Sequence, residues 1–234
     1  MSLRAHPLIW LREGQAWMTQ ARHLGRDWGV VREEGTGPVV VLLHGVYAGP
    51  GVFRPLRARL HAELDATTVT LGHVTGVGVA ELARRLARLL EAEDTERPIH
   101  LIGHSLGGLV VRHYVDQGAL HPRLVSTASL AAPFRGSSRA AWVPGQAARD
   151  LALAAPLLAR LAQGTEGGRR VPHLSIAAAD DLLVQRPGFP EFGEQVELAG
   201  VGHNGLLFDE RVATLLVGWI RDGAIEQDAA GNGP

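Results

Sequence analysis

The chain has 234 residues, 46% apolar and 20% charged, with a formal net charge of −1. That length suits one domain with additions, the apolar content is enough for a core, and the near-neutral charge gives a nucleic-acid partner nothing to hold. Cys and Lys are both absent, which excludes disulfides, thiol nucleophiles, Cys-ligated zinc, Schiff-base lysines and a P-loop lysine.

Residues 1–36 read as an N-terminal extension holding three of the five tryptophans, Trp10, Trp17 and Trp28. The pattern predicts a helix that packs its apolar side on the body. Trp and Arg together would also suit peripheral contact with a lipid interface through residues 1–28. No apolar run approaches the roughly 18 residues of a membrane span. The stretch Leu8-Ile9-Trp10-Leu11 is cut by Arg12 and Glu13, short of the roughly 7–15 residues of a signal-peptide core, so the chain reads as cytoplasmic.

Residues 39–43 (Val-Val-Val-Leu-Leu) predict a strand buried on both faces, and 67–71 a second. Helical spacing over 79–93 is followed by a buried strand from Ile99, a break at Gly103, and a helix over 106–117. Further strands are expected at 124–130, 173–179 and 195–199. A helix is expected over 146–162, interrupted at Pro156, and a closing helix over 206–221. Residues 223–234 are expected to form a flexible tail. Alternating strands and helices imply an α/β fold with a mostly parallel sheet covered on both faces.

The break at Gly103-His104-Ser105-Leu106-Gly107-Gly108 has the G-x-S-x-G pattern of a nucleophile elbow, between a strand and a helix as that motif requires. A serine on so sharp a turn needs neighbours without bulk two positions to either side. Ser105 is therefore the candidate nucleophile, and its hydroxyl needs a base. His203, between glycines in Gly200-Val201-Gly202-His203-Asn204-Gly205, lies after the last strand and has no histidine competing beyond position 173. The strand at 173–179 runs into Asp180 and Asp181, of which only one can face His203, because neighbours on an extended chain point opposite ways. The N–H of Leu106 and that of Val46, in the loop after the first strand, are the candidate oxyanion donors. His44, in the His44-Gly45 turn, and the His100/His104 pair read as structural, and no metal or cofactor is expected.

With Leu42-Leu43-His44-Gly45, the elbow and Gly200-Val201-Gly202-His203 in this order, the chain resembles the α/β-hydrolase superfamily, and most of all its small bacterial serine lipases and esterases. The resemblance spans about 37–222 and implies the α/β-hydrolase fold. Its register, an Asp three residues before Val184, selects Asp181 as the triad acid. Ala132-Pro133-Phe134-Arg135-Gly136-Ser137 is similar to a family segment that lines the site, with Ala132 and Phe134 as departures. Phe134, and Tyr47 in the oxyanion loop, are thus the candidate substrate contacts. Residues 136–171 are a possible small cap; an ordinary crossover helix is the alternative.

These features imply a hydrolase that cleaves small-molecule or lipid esters through Ser105, His203 and Asp181, with no obligate protein partner. Acyl transfer or thioester hydrolysis on the same triad, and a non-catalytic binding protein of the same fold, are the alternatives.

Overall fold

The computed structural model describes residues 7–23, 25–93, 95–163, 171–184 and 189–231. In chain order the helices are α1 (Pro7–His23), α2 (Arg54–Leu64), α3 (Val79–Glu91), α4 (Leu106–Asp116), α5 (Gly145–Leu151), α6 (Pro156–Gln163) and α7 (Glu210–Gly231). The strands are β1 (Val30–Glu33), β2 (Val39–Leu43), β3 (Thr67–Leu71), β4 (Ile99–His104), β5 (Leu124–Leu130), β6 (His173–Ala178) and β7 (Glu194–Leu198). They form one sheet in the order β1-β3-β2-β4-β5-β6-β7. Every pair is parallel except β1 with β3.

The β-branched and leucine-rich run of β2 is fully buried because both faces of the sheet are covered. Val39, Val41 and Leu43 join α3 and α4 in one core layer, whereas Val40 and Leu42 join α2 and α7 in the other. This alternation is the period of two expected of a strand. The outer strands β1 and β7 are short and largely exposed, as edges of a parallel sheet tend to be.

Several expectations change. Helix α2 and strand β1 have no counterpart in the sequence reading. In α2 the repeated arginines of Arg54-Pro55-Leu56-Arg57-Ala58-Arg59-Leu60 hide the apolar stripe, and Arg57 is itself buried. The expected helix over 146–162 is two helices. The chain is extended at Ala152 and left-handed at Ala154, and Pro156 opens α6, consistent with the bias of a pre-proline residue away from helix. The two halves of the 136–171 segment also differ in role. Leu158 and Leu161 of α6 pack in the core beside α4, as a crossover helix would, while residues 139–151 border the cleft described below. Residues 164–170 of that segment lie outside the described residues. The backbone of 223–231 continues α7 instead of ending near 221, and 232–234 lie outside the described residues.

The N-terminal extension is bolted to the body by ionic contacts. Arg57, 1% exposed, pairs with Asp27 at 2.7 Å and with Glu33 at 3.1 Å. Hydrogen bonding from Arg54, then from Arg57, outweighs burial and holds the Asp27 carboxyl down at about 2. Removing one partner of a buried pair strands the other, which typically costs about 3–5 kcal/mol. Arg57→Leu is expected to lower unfolding stability by that order in urea titrations at neutral pH. A loss within error would mean that the pair does not fasten the extension.

Candidate active site

Ser105 stands between β4 and α4 with φ 53° and ψ −119°, a left-handed conformation that costs a non-glycine residue strain. The surroundings enforce it. The Ser105 N–H donates to the Leu130 carbonyl at 2.8 Å, and its own carbonyl accepts from Gly108 at 3.0 Å. A Cβ on Gly103 would lie 2.3 Å from the Gly107 carbonyl, and one on Gly107 would lie 2.2 Å from the Leu43 carbonyl oxygen. Only glycines allow strand and helix this close, so the spacing of the motif is a packing requirement.

His203 follows β7 in the loop before α7. Its Nδ1 lies 2.7 Å from Asp181 Oδ2, and both side chains are only 4% exposed. The other Asp181 oxygen accepts the Leu183 and Val184 N–H groups at 2.8 and 2.7 Å, which orients the carboxylate. Asp180 instead accepts the Gly200 N–H at 2.9 Å and ties β6 to the loop after β7. Of the two carboxylates, the structure thus sets Asp181 against His203.

Burial works against the charge on His203, but the Asp181 charge and hydrogen bond, aided by Glu13, outweigh it and raise its pKa above the ordinary value. Burial likewise works against ionised Asp181, and His203 with the two loop amides keeps its pKa below the usual carboxylate range. With Nδ1 engaged by Asp181, Nε2 is the nitrogen left to take a proton.

Ser105 and His203 both line one cleft of about 790 Å³ that opens to solvent. Val46 and Tyr47 border it from the loop after β2. Among the described residues, no acceptor is bonded to the N–H of Val46 or of Leu106, the first residue of α4. Tyr47 has φ 54° and is pinned at three points. Its N–H donates to Thr75 Oγ1 at 2.8 Å, its carbonyl accepts from Gln20 Nε2 at 3.0 Å, and its hydroxyl bonds the Trp142 carbonyl.

Phe134 is not on the cleft. It is 2% exposed, and its ring meets His173 and Phe192 edge-on. Ala131, the first residue after β5, has a positive φ, and Phe134 three residues on lies in the core. Besides Tyr47, the walls come from residues that the sequence reading did not name as substrate contacts: Trp17 of α1, and Arg139, Trp142, Val143 and Leu151 of the possible cap segment 136–171. Only their places around the cleft in the folded chain single these out.

Two further histidines beside the site, His44 and His104, have structural partners. His44 Nδ1 donates to the Gly45 carbonyl at 2.9 Å, and its Nε2 accepts the His73 N–H at 3.2 Å. Burial, with the neighbouring His73, pushes it down to about 3, so it stands at the loop after β2 as a neutral ring. His104 is buried and held near 3, chiefly by burial, and its Nε2 donates to the His203 carbonyl at 3.1 Å. Among the described residues no cluster of His, Asp or Glu could hold a metal ion, and no helix is long and apolar enough to cross a membrane.

Residues 40–214 match the model of the Alpha/beta hydrolase family. The 2-(acetamidomethylene)succinate hydrolase of Mesorhizobium japonicum is 34% identical over 109 residues, which is 44% of this chain and 38% of that protein. The monoacylglycerol lipase of Paleococcus ferrophilus superposes with a TM-score of 0.66 at 16% identity, over 83% of this chain and 99% of that one. The Bacillus licheniformis lipase BlEst2 gives 0.64 at 10% identity, over 82% and 97%. At such identities the likeness is one of fold. With a match running from β2 into α7, and the elbow serine at the head of α4, the chain belongs to the Alpha/beta hydrolase family.

Proposed function

We propose that the chain is a serine hydrolase of carboxylic esters, with Ser105 as nucleophile, His203 as general base and acid, and Asp181 as the carboxylate that orients and stabilises the imidazolium. The 2.7 Å pairing of His203 with Asp181, beside a serine on the same cleft, carries this reading. His203 Nε2 takes the hydroxyl proton as Ser105 Oγ attacks the ester carbonyl. The N–H groups of Val46 and Leu106 receive the oxyanion. The imidazolium then protonates the departing alcohol, and a water activated by the same ring releases the acid from the acyl-enzyme. The naming of several fold neighbours as lipases supports a substrate with an apolar chain, and so do Trp17, Val143 and Leu151 in the cleft walls.

Ser105→Ala is expected to abolish turnover of p-nitrophenyl butyrate and labelling by a fluorophosphonate. Asp181→Asn should lower kcat by about 10³- to 10⁴-fold. Because His203 must be neutral to act as base and its pKa is raised, the acid limb of kcat/KM should sit above the ordinary imidazole value. Substantial activity in Ser105→Ala would refute the reading.

Contact with a lipid interface belongs to the same proposal. Trp10, Leu11 and Met18 of α1 are 58, 64 and 57% exposed, next to Trp17 at the cleft. Substituting serine for Leu11 and Met18 together should slow hydrolysis of emulsified long-chain esters while leaving soluble butyrate esters unaffected. Equal rates on both would argue that the outward face does not meet the substrate surface.

One observation favours a narrower substrate. Among the described residues, Arg139 is the one Arg, Lys, Asp or Glu on the cleft lining. Its guanidinium lies 4.9 Å from the Trp142 ring centre, and its Nε is buried without a hydrogen-bond partner. An ester that also carries a free carboxylate would satisfy it, and the name of the Mesorhizobium relative specifies a succinate. Arg139→Gln should then lower kcat/KM for a succinate monoester by about 10- to 100-fold and spare the neutral butyrate ester. Equal effects on both would remove Arg139 from recognition.

A further inference from the structure

Helix α1 packs on the body in an unusual sense. Its most buried described side chains are Glu13 (4% exposed), Ala16 (6%) and Gln20 (1%), which share one face at helical spacing. Leu11 and Met18, roughly opposite on the helix at about 100° per residue, face out. The apolar side was expected to be the buried one; here the inward face is polar, and its two polar residues reach the two loops that build the cleft. Gln20 donates to the Tyr47 carbonyl in the oxyanion loop. Glu13 Oε1 accepts from the backbone N–H and the side-chain amide of Asn204, both at 2.9 Å, and Glu13 Oε2 accepts from the Gly205 N–H at 3.4 Å. Between them on the same face, Trp17 lines the cleft.

The receiving loop is shaped around this carboxylate. A Cβ on Gly202 would lie 2.3 Å from Glu13 Oε2, so the carboxylate occupies the space that a side chain on the residue before His203 would take. The glycine before His203 thus has a partner that lies about 190 residues upstream and outside the segment that matches the family model. Burying a carboxylate is costly unless it is hydrogen-bonded, and here three N–H groups of consecutive loop residues repay it.

We propose that Glu13 is a positioning residue for the general base: a second carboxylate, delivered by the N-terminal helix, that fastens the Gly202–Gly205 loop and stands as a negative charge behind His203. This rests on the reading of Ser105, His203 and Asp181 as a hydrolytic triad. Among the described residues, the charged and titratable groups near His203 are Asp181 after β6, His104 at the end of β4 and Glu13 of α1, with Arg139 on the same cleft lining. Burial keeps His104 neutral, so the two carboxylates set the field at the imidazole. Asp181 holds Nδ1 directly, while Glu13 acts through the backbone of the loop and at longer range through its charge. The geometry thereby makes α1 part of the active-site framework: one rigid helix holds the loop that bears the base and the loop that bears the Val46 oxyanion donor.

The test uses the full chain and measures the rate of Ser105 labelling by a fluorophosphonate across pH, with kcat and KM for p-nitrophenyl butyrate and a thermal melt for each variant. Glu13→Gln keeps an acceptor for Asn204 and removes the charge. Removing a negative charge makes the imidazolium easier to deprotonate. The midpoint of the acid limb should therefore move down by about half a pH unit, and the plateau rate should fall roughly 10-fold through kcat with KM little changed. Glu13→Asp keeps the charge but retracts it by one methylene. It should leave the midpoint near that of the parent and lower the plateau, and it serves alone should Glu13→Gln not fold. A folded Glu13→Gln with parental midpoint and plateau overturns the proposal. So does a lowered melting temperature with both unchanged, which would make Glu13 a purely structural residue, or a Glu13→Asp plateau equal to that of the parent. Failure of the parent itself to be labelled at Ser105 would instead sink the triad reading on which the proposal stands.

Discussion

The contact on which the rest of this molecule depends is the close approach of β4 and α4 around Ser105. Gly103 and Gly107 meet backbone to backbone, and Gly107 also lies against the Leu43 carbonyl of β2. That proximity forces the positive φ of Ser105 and sets its side chain at the carboxyl end of the central strand. Because β4 is flanked by β2 on one side and β5, β6 and β7 on the other, the loops leaving β2, β6 and β7 converge on the same edge. Val46, Asp181 and His203 are carried there by those three loops. A parallel sheet with short connections leaves them little choice.

Charge is distributed unevenly among the buried imidazoles. His44, His104 and His173 are held near 3, and His100 near 4, in each case mainly by burial. They serve as neutral hydrogen-bonding rings. His203 is equally enclosed, yet its pKa is raised because carboxylates approach it. In a medium of low effective dielectric, nearby carboxylates decide whether a buried ring is held neutral or can take up a proton. Asp181 can play that part because Leu183 and Val184 hold it ionised from behind.

The N-terminal helix inverts the usual arrangement of a surface helix. A polar face turned inward is tolerated where its charged group is hydrogen-bonded, and Glu13 finds three N–H donors. The anchoring ion pairs of Asp27 with Arg54 and Arg57, and the antiparallel pairing of β1 with β3, hold the segment that follows the helix. The family segment proper and its N-terminal extension are therefore packed as one framework around the cleft.

Much of this was legible from local pattern. The β-branched run of β2, the amphipathic repeat of α3 and the glycine spacing around Ser105 are short-range signals, since each reflects the neighbours a residue has along its own strand or helix. The order of Ser105, the Asp180–Asp181 pair and His203 was legible because it is the chain order of the fold that the nucleophile elbow implies. The choice of Asp181 came from likeness to lipases, and the structure supplies its geometry: Asp180 is taken up by Gly200 and Asp181 by His203. Other features were decided only by the folded chain. Phe134 sits in the core instead of the cleft, Trp142 and Arg139 form a wall, and Glu13 reaches a loop some 190 residues away. Hydrophobic periodicity reports that a face will be buried but not against what, and a polar residue facing inward looks, in sequence, the same as one facing water. What Glu13, Gly202 and Asn204 do for one another exists only once α1 has docked, because the interaction is among groups that share no local pattern and meet only in space.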